Sequence, residues 1–556
     1  MKNSNAIELS VILDVAGNSA PKLESMKEYA LMLSKFGYDA LYINFEDMLE
    51  VEGEPYLGYQ RGRYTQDEIK ALDEYCSQIG VELRPMISAL GHVFNFWKHT
   101  GIYAYIMEGQ GVLLADEPRT YEFLDKVISA CSKCIKSRKI NLGMDDAYLV
   151  GRLTHLNKHG FIKLSDVYFS HVNKVNEVAK KYGYECEMWA DQMVTDYFKN
   201  DLPNMTTEQA REMVKGKLDD SILVKYRNFY DTDKATLQNK FEDANKLTDN
   251  IGYANVILKG YGFTPDNAFS ISAIKAGAQV ALEKGVKSFT LQALSTQGGE
   301  QSLFVALPSL YFASEILSGR ATGLEDLDKE KFSQVVGASF DDFMLLDLPN
   351  KPHLDKQYTT FNTKSYFYFY NDPLIGQWDK MLSDNIGKGY AKCADLLSNV
   401  KNDKFGYLFK EASALCRFLS IKAELGKEIQ KAYDLKDNAR LNEIADKVIP
   451  NAIVYLDEFF EAFSDKWFKN NKPFGFEVQD QRWGGMTERL TWTARRIKEY
   501  TSGKKTFIKE MEQEKLLPDM RMNMPNFHEI KESVGINEDN FILYEWKWTV
   551  TVNVTD

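Results

Sequence analysis

Through roughly the first 300 residues the chain repeats one pattern: a short apolar run, a polar or aromatic residue at its end, then a longer stretch with helical apolar spacing. The runs fall at Ile7–Val15, Ala40–Phe45, Glu82–Ile87, Ile140–Met144, Tyr184–Trp189, Ile222–Tyr226, Tyr253–Leu258 and Ser288–Leu294. Helical periodicity separates many of them, at Lys22–Phe36, Gln66–Ile79, Thr120–Ser137, Ser165–Tyr182 and Asn267–Lys284. Strands covered by helices on one side and a barrel interior on the other read as short apolar runs. Eight of them alternating with helices predict an α/β fold, a (β/α)8 TIM barrel. After about residue 325 the pattern changes: Tyr390–Asn399, Tyr407–Glu424 and Asn438–Phe463 read as amphipathic helices, and strand-like alternation returns only at Phe541–Val554. The prolines of Leu348-Pro349-Asn350-Lys351-Pro352 interrupt any helix through that point. The expected organisation is a barrel over 1–335 and a mainly α-helical C-terminal domain over 336–556.

In a TIM barrel the site forms at the C-terminal ends of the strands, so residues at or just after each run are the candidates. They are Asp14, Glu46, Asp47, His92, Asp145, Asp146, Trp189, Asp191, Tyr230, Tyr261 and Glu300. Carboxylates move protons and bind hydroxyls while aromatic rings stack on the C–H faces of sugars, so this mixture points to a carbohydrate site. Asp145 and Asp146 stand out as adjacent carboxylates closing an apolar run. Simpler roles stay open for each position. An Asp pair also favours a helix start, His92 fits a hydrogen-bonded core histidine, and Trp189 and Tyr261 fit as lids on the barrel. Asp191 and Tyr230 fit solvent-facing loops, and Glu300 fits a first helical turn.

The 556 residues exceed one compact core, and 44% hydrophobic content supports full folding. A formal charge of −12 with no dense basic block argues against nucleic acid or an anionic membrane as the main partner, and no run approaches a membrane span. The opening residues lack a secretory pattern, and the six cysteines form no disulfide framework. Cys131-Ser132-Lys133-Cys134 lies inside a helical stretch without a second such pair, which reads as core and not as a metal or redox site. The expected compartment is the cytoplasm. The sequence carries no signal for an oligomeric state.

Several ordered motifs resemble glycoside hydrolase family 20, the β-N-acetylhexosaminidases, in particular bacterial members with a helical C-terminal domain. They are Glu46-Asp47 with Glu50-Val51-Glu52-Gly53-Glu54-Pro55-Tyr56, Gly62-Arg63-Tyr64-Thr65, Gly91-His92, Gly143-Met144-Asp145-Asp146-Ala147 and Met188-Trp189-Ala190-Asp191. Gly262-Phe263-Thr264-Pro265-Asp266-Asn267, Gly298-Gly299-Glu300 and Pro473-Phe474-Gly475-Phe476-Glu477 continue the series. The resemblance implies a retaining, exo-acting β-N-acetylhexosaminidase with substrate-assisted catalysis and no cofactor or metal. It gives Asp145 the role of orienting and stabilising the 2-acetamido group, and Asp146 that of general acid/base. His92 would support the site, Trp189 line the acetamido pocket, Tyr230 meet the acetamido oxygen and Glu300 bind a sugar hydroxyl. Asp191 and Tyr261 would complete the substrate-binding set.

Departures from that pattern define the rival readings. The family's usual acid is Glu, and Asp146 is one methylene shorter, about 1.5 Å, a displacement that can cost on the order of a hundredfold in rate. An expected Arg after the first strand is Gly17, an expected Trp and Asp before Gly298 are Leu294 and Thr296, and tryptophan positions carry Arg227 and Lys259. These new cations suit an anionic substituent. The alternatives are therefore a glycosidase for a different or modified glycon, including an anionic one, and a non-catalytic glycan-binding relative.

Overall fold

The computed structural model describes residues 7–109, 111–194, 206–260, 262–295, 298–356 and 363–515. Its centre is the barrel that the apolar runs predict. The strands are β1 (Glu8–Asp14), β2 (Ala40–Asn44), β3 (Glu82–Met86), β4 (Lys139–Asn141), β5 (Glu185–Trp189), β6 (Leu223–Asn228), β7 (Ile251–Gly260) and β8 (Ser288–Ser295). They close in sequential order, with β1 paired in parallel to both β2 and β8. A parallel ladder needs a crossover between strands, and helices such as Leu23–Phe36, Gln66–Gln78, Pro118–Cys134, Leu164–Lys180 and Asn267–Lys284 supply it. Leu23–Phe36 buries Met26, Tyr29, Ala30, Leu33 and Phe36, the three-to-four spacing of one helix face, and stops where Gly37 adopts φ +98°. Gln66–Gln78 starts at a capping box in which Thr65 and Glu68 satisfy each other's backbone N–H groups.

The barrel interior is ionic as well as apolar. Ile12, Ala40, Tyr42, Met86, Trp189 and Ala254 form one buried cluster. Among them Lys225 of β6 lies 2.7 Å from Glu187 of β5 and donates to Thr290 of β8 at 2.9 Å. Tyr42 donates to Glu187 at 2.8 Å and accepts from Arg84 at 2.8 Å, and Arg84 is held by Glu8 at 2.7 Å. Each buried charge thus has an opposite partner, the condition for keeping it charged away from water. Side chains two apart on a strand share a face, so Arg227 projects into the same interior as Lys225, one layer nearer the C-terminal ends.

The chain forms two compact units. One comprises 1–257, 270–294 and 309–328, and the other 258–269, 295–308 and 329–556. The second is mainly helical, with long helices Ile386–Ser398, Gly406–Asp434, Ile449–Asn470 and Phe476–Thr501. Its core is aromatic: Phe263, Phe369, Phe459 and Phe463 all pack their rings around Trp483. The strand-like stretch Phe541–Val554 lies outside the described residues. All six cysteines are buried and free, Cys131 and Cys134 included. Among the described residues no helix is long and apolar enough to cross a membrane, and no three His, Cys, Asp or Glu side chains are placed to hold a metal.

Candidate active site

The segment after β4 is held rigidly. Asn141 accepts from the Gly143 N–H at 2.8 Å, Trp189 donates its backbone N–H to Gly143 at 3.1 Å, and Tyr168 donates to the Met144 carbonyl at 2.9 Å. Gly91 is required beside it, because a Cβ there would stand 1.9 Å from the Asp145 carbonyl oxygen. Around this corner four non-glycine residues take positive φ: Glu46 (46°), His92 (57°), Met144 (69°) and Asp146 (51°). These are half of the eight such residues among those described, and all follow the C-terminal ends of β2, β3 and β4. Strain concentrated this way is a mark of functional sites.

The two adjacent aspartates sit in different surroundings. The Asp145 side chain is only 4% exposed, whereas that of Asp146 is 45% exposed. Arg227 donates to Asp145 at 2.6 Å and also reaches Asp191 at 3.0 Å. Burial alone would raise the Asp145 carboxyl, but Arg227 and His92 together hold it well below the usual carboxylate range. Asp191 goes the other way: burial, opposed by Arg227 and reinforced by Asp145 and Asp146, pushes it up to about 6. His92 Nε2 bridges the pair, 3.3 Å from Asp145 and 3.1 Å from Asp146. Burial disfavours its cation, yet the two carboxylates raise it well above the ordinary histidine value. Tyr148 donates to Asp146 at 3.1 Å.

The Arg227 guanidinium lies 4.5 Å from the ring centres of both Trp189 and Phe229 and donates to Gln292 at 3.0 Å. Trp189 is wholly buried beneath it. The expectation that the new cation would be available to an anionic substituent meets a different arrangement here. Inside the barrel the nearest anions to Arg227 are Asp145 and Asp191, and it pairs with both.

On the rim, Asn95 donates to Glu46 at 3.0 Å. Burial pushes the Glu46 carboxyl up to about 8, with Asp14 and Asp47 acting in the same sense and His92 and Arg61 against it. Arg61 pairs with Asp47 and donates to the carbonyls of Ala16 at 2.5 Å and Gly17 at 2.7 Å. A guanidinium therefore stands at the end of β1 although position 17 itself is glycine.

His92, Asp145, Asp146, Trp189 and Asp191 come together in the first unit. Tyr230 is half-buried, its ring 5.8 Å from that of Phe229. Tyr261 lies outside the described residues, as do Thr296 and the side chain of Lys259. Glu300 belongs to the second unit, where Arg482 holds it at 2.5 Å and Tyr366 donates to it at 2.6 Å. Sequence reasoning did not connect Arg227 with Asp145, nor Arg61 with Gly17. The available signal for the first was Lys225 and Arg227 at alternate positions of a barrel strand, two cations that need buried anions.

Chemically, the arrangement offers an immobile, ionised carboxylate suited to facing developing positive charge. Beside it stands a solvent-facing carboxylate, within reach of a histidine and a tyrosine, suited to proton transfer.

Residues 341–529 match the family model described as the Glycoside Hydrolase 20C C-terminal domain. The chain is 24% identical over 156 residues to Hexosaminidase D of Homo sapiens, a stretch covering 27% of this chain and 32% of that protein. It thus spans about a third of that relative's length. Among solved structures, the GH20 exo β-N-acetylglucosaminidase of Vibrio harveyi in complex with N-acetylglucosamine aligns with 14% identity and a TM-score of 0.43, covering 60% of this chain and 57% of that one. The Streptomyces plicatus N-acetyl-β-hexosaminidase aligns with 16% identity and a TM-score of 0.42, covering 61% and 69%.

Proposed function

We propose that this chain is a glycoside hydrolase of family 20, as the match of residues 341–529 to that family's 20C C-terminal domain supports, and that it is a retaining, exo-acting glycosidase of the β-N-acetylhexosaminidase type. Its substrate is the non-reducing end of a carbohydrate. The observation that carries this reading is the division between the adjacent aspartates: Asp145 buried and ion-paired, Asp146 exposed beside His92 and Tyr148. Asp146 gives its proton to the glycosidic oxygen as the 2-acetamido carbonyl oxygen attacks C1 and the C1–O bond breaks. Asp145 accepts the acetamido N–H and stabilises the positive charge that spreads over the resulting oxazolinium ring. Water then adds at C1 from the face the leaving group vacated, Asp146 takes its proton, and the acetamido group reopens with the β-configuration retained. Arg227 and His92 keep Asp145 ionised for this task. Asp191, through Arg227, is a supporting group.

The test uses purified protein and aryl β-glycosides of N-acetylglucosamine, N-acetylgalactosamine and the non-acetylated hexoses. Turnover of an acetamido sugar supports the assignment. Asp146→Asn should then abolish turnover of poor leaving groups while sparing activated aryl glycosides, because only the former need the proton. Equal loss on both would remove Asp146 from the acid role. A second reading, a modified glycon, is favoured by one observation: the guanidinium of Arg227 covers Trp189, so the pocket wall is not a bare aromatic face.

A further inference from the structure

Two donors in the stacked pair beside Asp145 have no acceptor among the described residues: Nε of Arg227 and Nε1 of Trp189, both buried. They belong to side chains whose guanidinium and ring centres lie 4.5 Å apart, with 5% exposure for Arg227 and none for Trp189. Buried N–H groups are almost always paired, so two orphans in one contact next to a catalytic carboxylate mark a place built to receive oxygen. The remaining guanidinium nitrogens are committed, Nη2 to Asp145 and Asp191 and Nη1 to Gln292. They fix the group so that Nε cannot turn away.

We propose that Arg227 and Trp189 read the acyl end of the glycon's 2-substituent, and that the substrate class is a 2-acylamino sugar whose acyl group ends in a hydroxyl, as in N-glycolylhexosaminides. This rests on the hydrolase reading above, in which Asp145 takes the N–H of the same substituent and so brings its acyl end beside Arg227. An N-acetyl methyl leaves both donors unpaired, whereas a hydroxyl oxygen accepts from them. Charge decides between a hydroxyl and a carboxylate at that position. The Arg227 guanidinium is already shared between Asp145 and Asp191, so a further anion would meet no uncommitted cation there, whereas a neutral oxygen needs none.

The discriminating pair is N-glycolyl against N-propanoyl, which match in size and differ by one hydroxyl. For aryl β-glycosides of the two, the full-length protein should show a kcat/KM ratio of at least about tenfold favouring N-glycolyl, since a site built to bond a hydroxyl rejects the analogue without it. The ratio should fall to within about twofold in Arg227→Met and drop in Trp189→Phe, which removes one donor while keeping the ring and every ion pair. Equal turnover of both substrates by the unaltered protein, or a ratio unchanged in the two variants, overturns the proposal and leaves the hydrolase reading standing. Should nothing be hydrolysed, calorimetric titration with the free N-acylglucosamines separates the two ideas. At least about tenfold tighter binding of N-glycolyl than N-propanoylglucosamine keeps the pocket assignment and refutes hydrolysis. No preference or no binding refutes both.

Discussion

Arg227→Met provides a direct measure of how the site is held ionised. The substitution keeps an unbranched side chain between Trp189 and Phe229 but removes the cation that Asp145 meets at 2.6 Å and Asp191 at 3.0 Å. Breaking a buried ion pair by deleting one partner costs about 3–5 kcal/mol, because the other charge is left uncompensated. Asp145 can escape that cost by binding a proton. Near pH 7, about three units above an unfolded aspartate's pKa of roughly 3.9, protonation costs about 4 kcal/mol at ~1.4 kcal/mol per unit. At pH 5 the same step costs only about 1.5 kcal/mol. The folded-state pKa of Asp145 is lowered in the unaltered protein and becomes raised in the variant, so the variant is most stable at low pH and loses stability as pH rises. The expected destabilisation is about 4 kcal/mol at pH 7, shrinking by roughly 2.5 kcal/mol at pH 5. Urea denaturation of both proteins at pH 5, 6 and 7, followed by circular dichroism, reads it. A loss of the same size at all three values would mean that Arg227 contributes packing alone and that Asp145 does not depend on it for its charge.

Three further outcomes follow from the same geometry. Gly91→Ala places a methyl against the Asp145 carbonyl oxygen and should abolish activity with a destabilisation of about 1–3 kcal/mol, comparable to overpacking; wild-type turnover would show that the His92 loop moves freely. His92→Asn should destabilise most below about pH 6.5 and progressively less above it, because the raised histidine contributes while protonated and that contribution fades as pH climbs through its folded value; thermal melts across pH 5.5–9 with a flat difference would contradict the imidazolium bridge. Glu300→Gln leaves the buried Arg482 guanidinium without its counter-ion and should cost the second unit about 3–5 kcal/mol in chemical denaturation; a change under ~1 kcal/mol would refute a structural ion pair there.

The barrel was legible because β1, β2, β3, β5 and β8 are bounded by apolar runs that need no distant information. Strand β6 shows where that fails. Read as Ile222–Tyr226, it runs from Leu223 to Asn228, since Arg227 looks like a strand end until Asp145 and Asp191 are known to neutralise it. Those carboxylates stand 82 and 36 positions away in the chain, and no local pattern reports such a pairing. The stretch Asn438–Phe463 shows the same limit in the helical unit. Its periodicity is continuous, but a π segment at Ile444–Val448 divides Asn438–Glu443 from Ile449–Asn470 just ahead of Pro450, where the missing N–H loosens the hydrogen-bond ladder. Of the proposed site, Asp145, Asp146, His92, Trp189 and Asp191, which the structure brings together, could be picked out in the sequence because each ends or follows a strand. Arg61 was not, because it approaches Gly17 from a loop rather than from the strand end where a guanidinium would be sought.

The left-handed backbone at Glu46, His92, Met144 and Asp146 bears on how this protein would respond to artificial selection. Glycine relieves about 1–2 kcal/mol of backbone strain at each such position, so a search for heat-tolerant variants that ignored turnover would be drawn to Glu46, His92 and Asp146, which are at least partly exposed. At each of the three the change deletes a carboxylate or imidazole from the proposed site. Heat tolerance and chemistry are thereby set against each other at the same three residues, whereas at Met144 the loss of a buried side chain exceeds what glycine would relieve.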